Sequence, residues 1–341
     1  MILRRLSGDY YEIGYEEGNI YKRYMDLHTL KIDPEIYKNQ LLMYKKYYPE
    51  FLEELKGIID ASKIDKDKIT YWLISNELVS YLNYVVKKIR EKCTVFGVKN
   101  NKGIFVGKNY DWIPIAEDFI EYVKVYNKDA YPFIFVTDMG IDRYKYIKMR
   151  FHSPSDAINK YGLYIGIIAA YNDKYRYGIN TTHAVKLVAE KCKNVEEAIE
   201  LFKSIKICIP MNFFIADKNN FVVIEHTTER FKIIYPENNI LVKTNHYIDR
   251  ELQNEDMIIK MYPSSNSFRR YYTILTDLFK NRDTFQYSDI IKLLTDKRVM
   301  QRSKLKYGTK TIWSLALDNN IKRYTLITYK GNKISSIKLS I

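Results

Sequence analysis

The chain is poor in cysteine and has no apolar run long enough to cross a bilayer. Its three cysteines, Cys93, Cys192 and Cys208, are odd in number and irregularly spaced. That excludes a disulfide framework and points to a reducing compartment. The longest mostly apolar stretch, 161–171, is too short for a membrane span. Arg4 and Arg5 near the start are not followed by an apolar segment, so no secretory signal is expected, and the expected location is cytoplasmic. There is no CxxC, no HExxH, no GxGxxG and no Walker-type phosphate loop, so no metal and no cofactor is expected. Internal repeats and low-complexity linkers are also missing. Lys and Arg outnumber Asp and Glu by 55 to 41, a net charge of +14. That balance admits anionic partners. The basic residues nevertheless never run to five or six in a row, which reads as a solvated surface and argues against nucleic acid.

What is present is a packed globular chain of 341 residues, 46% of them hydrophobic. Residues 1–92 read as helical. Phe51, Leu52, Leu55, Ile58 and Ile59 keep the i, i+3/i+4 rhythm of an amphipathic helix, and Asp65 or Asp67 caps another that passes Trp72, Leu73 and Leu78. At Cys93 the texture changes to short β-branched and aromatic runs. The first two, 93–98 and 104–106, flank Asn100, Asn101 and Gly103 and predict a β-hairpin. Strands are expected over 122–126, 132–137, 162–170, 211–216, 221–225, 231–235 and 239–243, and in a closing set over 312–316, 324–329 and 334–341. Asp138, Met139 and Gly140 read as a turn. Helices are expected from Thr181 or Thr182, from Val195, from a cap at 264–267 and from Ser288. The one boundary is 92/93, dividing a helical proregion, 1–92, from a core, 93–341.

The hairpin brings chemistry together. It sets Asp111, at the end of its second strand, beside Cys93, at the start of its first. A thiol becomes a nucleophile only as thiolate, and needs a base or a positive surrounding. Cysteine is also a common buried filler. Cys192, on an amphipathic helix, and Cys208, after an apolar run, read that way. Asp111 suits a strand-end turn, but Trp112 and Ile113 would shield it from water, and a shielded carboxylate can orient an amine or imidazole. Asn245, in Thr244-Asn245-His246, follows an apolar strand. Its amide could serve as an oxyanion donor, worth roughly 3 kcal/mol in acyl transfer. His246 admits the competing reading of a Cys–His pair. Arg269 and Arg270 open a helix, either as surface charges or with one of them at the site.

These residues resemble a known family. Cys93-Thr94-x-Phe96 followed by Gly107-x-Asn109-Tyr110-Asp111-Trp112 resembles the choloylglycine hydrolase and acyl-coenzyme A:6-aminopenicillanate acyltransferase group of N-terminal nucleophile (Ntn) hydrolases. So do Gly8-x-x-Tyr11-x-Ile13-Gly14, Asn159-x-x-Gly162-Leu163, the 195–199 helix, Ala216-Asp217 with Glu225, and Thr244-Asn245-His246. The resemblance implies an α+β fold, a four-layer αββα sandwich preceded by a helical N-terminal proregion. It implies autocatalytic cleavage between Lys92 and Cys93, after which the Cys93 α-amine is the base for its own thiol. An α-amine titrates near pH 7.7–8.0, close to working pH. Carried over, Cys93 is the nucleophile, Asp111 holds the α-amine, Asn245 stabilises the oxyanion, and Arg269 is the site arginine with Arg270 its alternative. Lys108, Asn109, His246 and Arg270 are expected to bind substrate or support the site. The family usually has arginine where this chain has Lys108, and lysine lacks the bidentate fork. Near Ala169 and Ala170 its bile-salt hydrolases carry an asparagine, whose part in the oxyanion hole is a backbone N–H. The expected substrate is a small-molecule acyl amide or acyl thioester, with homo-oligomers left open. Two rival readings stand beside this one: an uncleaved cysteine hydrolase using His246, and a non-catalytic basic binding protein on a degenerate hydrolase scaffold.

Overall fold

The computed structural model describes residues 2–84, 93–139, 151–261, 266–303, 308–331 and 333–341. Lys92, Gly140, Ser264 and Ser265, to which the sequence gives roles, lie outside the described residues. The N-terminal stretch does not begin with a helix. It begins with a strand, β1 (Ile2–Gly8), followed by helices α1 (Tyr10–Tyr24), α2 (Pro34–Tyr47), α3 (Pro49–Ser62) and α4 (Lys66–Tyr84). Local chemistry sets the helix starts. Asp9 and Glu12 form a capping box on α1, Asp33 accepts from the backbone N–H groups of Glu35 and Ile36 on α2, and Pro34 and Pro49 occupy first turns. Helices α1 and α3 meet backbone to backbone. A Cβ on Gly14 would lie 1.9 Å from the Glu54 carbonyl oxygen, and one on Gly57 would lie 2.1 Å from that of Tyr11. Only glycine permits that approach.

From Cys93 onward strands dominate, as the texture predicts. The hairpin is β2 (Thr94–Asn100) and β3 (Gly103–Trp112), followed by a 3₁₀ turn, Pro114–Phe119. Then come β4 (Glu121–Asn127), β5 (Phe133–Thr137), β6 (Asp156–Asn159), β7 (Tyr164–Ala169), α5 (Thr181–Lys191) and α6 (Val195–Ser204). Next are β8 (Met211–Ala216), β9 (Phe221–His226), β10 (Phe231–Ile234) and β11 (Ile240–Lys243), then α7 (Arg250–Gln253), α8 (Met257–Met261), α9 (Asn266–Asn281) and α10 (Tyr287–Leu294). Strands β12 (Lys310–Asp318), β13 (Arg323–Lys330) and β14 (Lys333–Leu339) close the chain.

The strands form an eight-stranded sheet, β1-β4-β5-β6-β7-β8-β9-β10, and a six-stranded sheet, β11-β2-β3-β12-β13-β14. Among the described strands, neighbours in each sheet pair antiparallel except β1 with β4. Three apolar cores separate four layers. The first packs α1, α3 and α5 (Ile13, Phe51, Leu187) on one face of the larger sheet (Val123, Phe213). The second lies between the sheets (Val95, Val106, Ile134, Phe214, Leu315). The third packs α9 and α10 (Ile274, Ile290) on the smaller sheet (Phe96, Val242). This is the expected αββα sandwich, and β1 adds the N-terminal segment to the edge of its larger sheet. Among the described residues, no helix is long and apolar enough to cross a membrane.

Candidate active site

Cys93 is buried and directly precedes β2. Thr94 pairs with Asn109 and Val95 with Lys108, so Cys93 and Asp111 share one end of the hairpin. Side chains alternate along β3. Lys108 and Tyr110 face the larger sheet, while Asn109 and Asp111 face the α9/α10 layer. A cavity of about 770 Å³ lies at this end, with Cys93, Tyr110, Asp111 and Trp112 on one wall. Ile167, Ala169, Ala170 and Tyr171 line it from the end of β7, and Asn76, Glu77, Ser80 and Tyr81 from α4. Glu77 is held there by four hydrogen bonds from the backbone and hydroxyl groups of Thr181 and Thr182 at the start of α5.

Asp111 is buried and accepts from Thr311 Oγ1 at 2.7 Å. The arginine that the fold sets beside Cys93 and Asn245 is Arg270, not Arg269. Arg269 is exposed, whereas Arg270 is fully buried on the inward phase of α9 with Ser267, Ile274 and Leu278. Its Nη1 donates to the Cys93 carbonyl and to Thr94 Oγ1, and its Nη2 to Asn245 Oδ1 at 2.9 Å. Burial lowers its pKa against the pull of Asp111 and Cys93. Arginine stays charged under such pressure. Arg270→Met is therefore expected to cost about 3–5 kcal/mol in urea unfolding, because it strands buried acceptors. Arg269→Ala is expected to stay within about 0.5 kcal/mol of the parent.

Asn245 does not line the cavity itself. Its Nδ2 donates at 3.0 Å to the carbonyl of Ala169, a residue of the cavity wall. An amide NH₂ carries two hydrogens, and this bond uses one. His246 also stands away from the cavity lining. Its Nδ1 lies 2.9 Å from Ser267 Oγ, and its ring stacks on Phe268 at 4.1 Å. Burial, with Lys243 and Arg270 nearby, pushes its pKa down to about 3. The imidazole is turned to α9, which removes the geometric support for a Cys–His pair.

Lys108 and Asn109 do not line the cavity. Lys108 is fully buried, its Nζ 2.6 Å from Asp156 Oδ1. Asp156 also accepts from Tyr164 at 2.7 Å and from Trp313 Nε1 at 3.1 Å, and burial raises its pKa. Asn109 donates to the Leu294 carbonyl at the end of α10 and accepts from Ser314. Among the described residues, Lys108, Lys186, Lys243 and Arg270 are buried cations, and they add little to an external anion-binding surface. Burial pushes the Cys192 thiol up to about 12 and raises that of Cys208 well above its usual range, so both stay protonated. Among the described residues, no cluster of His, Cys, Asp and Glu could hold a metal ion.

Sequence reasoning missed Asp156, Glu77 and Thr311. Nothing local marks them, since each is brought in by another element. The choice of Arg270 over Arg269 was available from helical phase, because 270, 274 and 278 recur at i+4.

Residues 98–333 match the family model described as acyl-coenzyme A:6-aminopenicillanic acid acyl-transferase, a match that starts just after Cys93. A comparison with curated proteins finds no match. Among solved structures, an arginine-to-leucine variant of conjugated bile acid hydrolase from Clostridium perfringens is similar at a TM-score of 0.51 and 15% identity, over 72% of this chain and 92% of that one. A cysteine-to-alanine mutant of the same hydrolase gives 0.50 and 15% over the same shares. Penicillin V acylase from Agrobacterium tumefaciens gives 0.46 and 12%, over 72% of this chain and 86% of that one. At these identities the likeness to the bile acid hydrolase structures speaks to the fold.

Proposed function

The chain belongs to the acyl-coenzyme A:6-aminopenicillanic acid acyl-transferase family, and from that premise we propose that it is a self-processing Ntn enzyme that moves the acyl group of a linear amide or thioester through Cys93. One observation carries this reading. Cys93 and Asp111 line one cavity, and a single buried guanidinium grips both the Cys93 carbonyl and the Asn245 amide.

Cleavage of the Lys92–Cys93 bond frees an α-amine on Cys93, next to the Asp111 carboxylate. The amine takes the proton from Sγ, and the thiolate attacks the substrate carbonyl carbon. The second hydrogen of Asn245 Nδ2 stabilises the oxyanion. The C–N bond breaks as the ammonium returns its proton to the leaving amine, leaving a thioester on Cys93. Water or an acceptor amine then attacks, the C–S bond breaks, and the thiol is restored. Asp111 acts on the α-amine, fixing its lone pair toward Sγ. In this reading 1–92 is the proregion and 93–341 the catalytic core, with α4 of the proregion still forming a wall of the cavity. Met139, Phe151, Ile209 and Met211, with the aromatic wall, suit an apolar acyl group.

The test is to trap the acyl-enzyme. After incubation with an acyl thioester and acid quench, peptide mapping is expected to find one acyl group, on the peptide that begins at Cys93. Acylation only at Cys192 or Cys208, or none, would overturn the reading.

A further inference from the structure

The turn that carries Asn245 has no helix or strand of its own between Thr244 and Asp249. Even so, five successive backbone N–H groups in it are held by side chains from other elements. Those of Asn245 and His246 donate to Ser267 Oγ at 3.0 and 3.3 Å. That of Tyr247 donates to Asp256 Oδ2 at 2.6 Å. Those of Ile248 and Asp249 donate to Glu225 Oε1 and Oε2 at 2.6 and 2.9 Å. Lys243 Nζ reaches both Glu225 Oε1 and the His246 carbonyl, so the same pair ties the turn from its acceptor side. Glu225 and Lys243 are fully buried, one on β9 of the larger sheet and the other ending β11 on the edge of the smaller.

We propose that Glu225, paired with Lys243, is a positioning residue for the Asn245 amide, an inference that rests on Asn245 being the oxyanion donor. The demand on position 225 is specific. It must supply two acceptor oxygens to adjacent N–H groups and a negative charge to one ammonium, all without water. Glutamine supplies one acceptor, and its NH₂ faces a donor. Aspartate is one methylene too short to reach both N–H groups and the Lys243 ammonium together. Because Glu225 does not touch the substrate cavity, its loss acts through Asn245.

The reaction is followed with a chain-length series of N-acyl p-nitroanilides, and oxyanion binding with the matching acyl aldehydes, whose carbonyl adds the Cys93 thiol as a hemithioacetal. Glu225→Gln is expected to lower kcat about 10- to 100-fold, with KM within about 3-fold, and to weaken the aldehyde by the same factor as kcat. A buried lysine left without its partner endangers folding, so Glu225→Gln/Lys243→Met, which removes both charges, is measured in parallel and is expected to show the same split. In a background of Asn245→Ala, either change is expected to slow turnover no further. A folded variant with unchanged kcat and aldehyde affinity, or a loss confined to KM, would overturn the positioning role. If Asn245→Ala itself leaves kcat intact, the oxyanion reading fails instead.

Discussion

Cys93→Ala will lower turnover of an N-acyl amide by at least about four orders of magnitude, and the protein will keep its fold. Removing the nucleophile leaves no atom to carry the acyl group, so the oxyanion donor and the cavity cannot compensate by binding alone. The folding cost is small, since one buried sulfur goes and the cavity already adjoins it, about 1 kcal/mol or less. The same variant is expected to keep the Lys92–Cys93 bond, because the thiol is proposed to cut it. Stopped assays at saturating substrate, with thermal melting as the folding control, check both parts. Residual turnover within tenfold of the parent would place the nucleophile elsewhere.

Raising the pH past about 8 is expected to loosen the N-terminal segment from the core. Two buried clusters join them. Glu17 and Arg4 from the segment meet His152 and Glu121: His152 Nδ1 is 2.8 Å from Glu17, its Nε2 3.3 Å from Glu121, and Arg4 Nε 3.0 Å from Glu121. Glu54 and the hydroxyls of Tyr10 and Tyr48 meet Lys186 and Glu190. Among the described residues of these clusters, four carboxylates thus face two permanent cations. Burial lifts the Glu54 carboxyl to about 8, against Lys186 and reinforced by Glu17 and Glu190. His152 is pulled down by burial, but Glu121 and Glu17 overcome this and raise it. Both folded values lie above the unfolded ones, so both contributions are full at low pH and lost as pH rises. Glu54 loses its share between 4.5 and about 8, and His152 as pH climbs from 6.5 through its raised value. Glu121 opposes at the acid end. Burial would raise it, yet His152 and Arg4 lower it to about 2, so its share is lost as pH falls from 4.5 toward 2. Stability should therefore peak on the mildly acidic side of neutral and fall toward pH 8, by up to about 1.4 kcal/mol per pH unit for each proton released. Urea midpoints at about pH 5, 7 and 9 measure it. Glu54→Gln should flatten the alkaline limb, and a slope unchanged by that substitution would remove Glu54 as its source.

Much of the sandwich was legible because its strands carry their own signal. The β2–β3 hairpin follows from two β-branched runs about an Asn-rich turn, and the β8–β9 hairpin from Asp217 to Asn220 between apolar runs. Strand β1 was not, because it has one partner, two arginines, and only Leu6 and Gly8 buried among residues 3–8. Strand β6 is only four residues long. At the candidate site, motif order marked Cys93, Asp111 and Asn245, and the structure gathers them around Arg270. Lys108 reads as binding substrate or supporting the site because it stands in the motif, and strand alternation turns it inward to Asp156. The α4 wall of the cavity was invisible because no local pattern says which later strand a helix will cover.

The most direct measurement is the intact mass of freshly purified protein beside its Cys93→Ala variant, before and after an acyl thioester. Two chains are expected for the parent, the larger beginning at Cys93 and gaining one acyl mass, and one unmodified full-length chain for the variant. A parent of full length that acquires no acyl group, or a variant cut at the same bond, would contradict it.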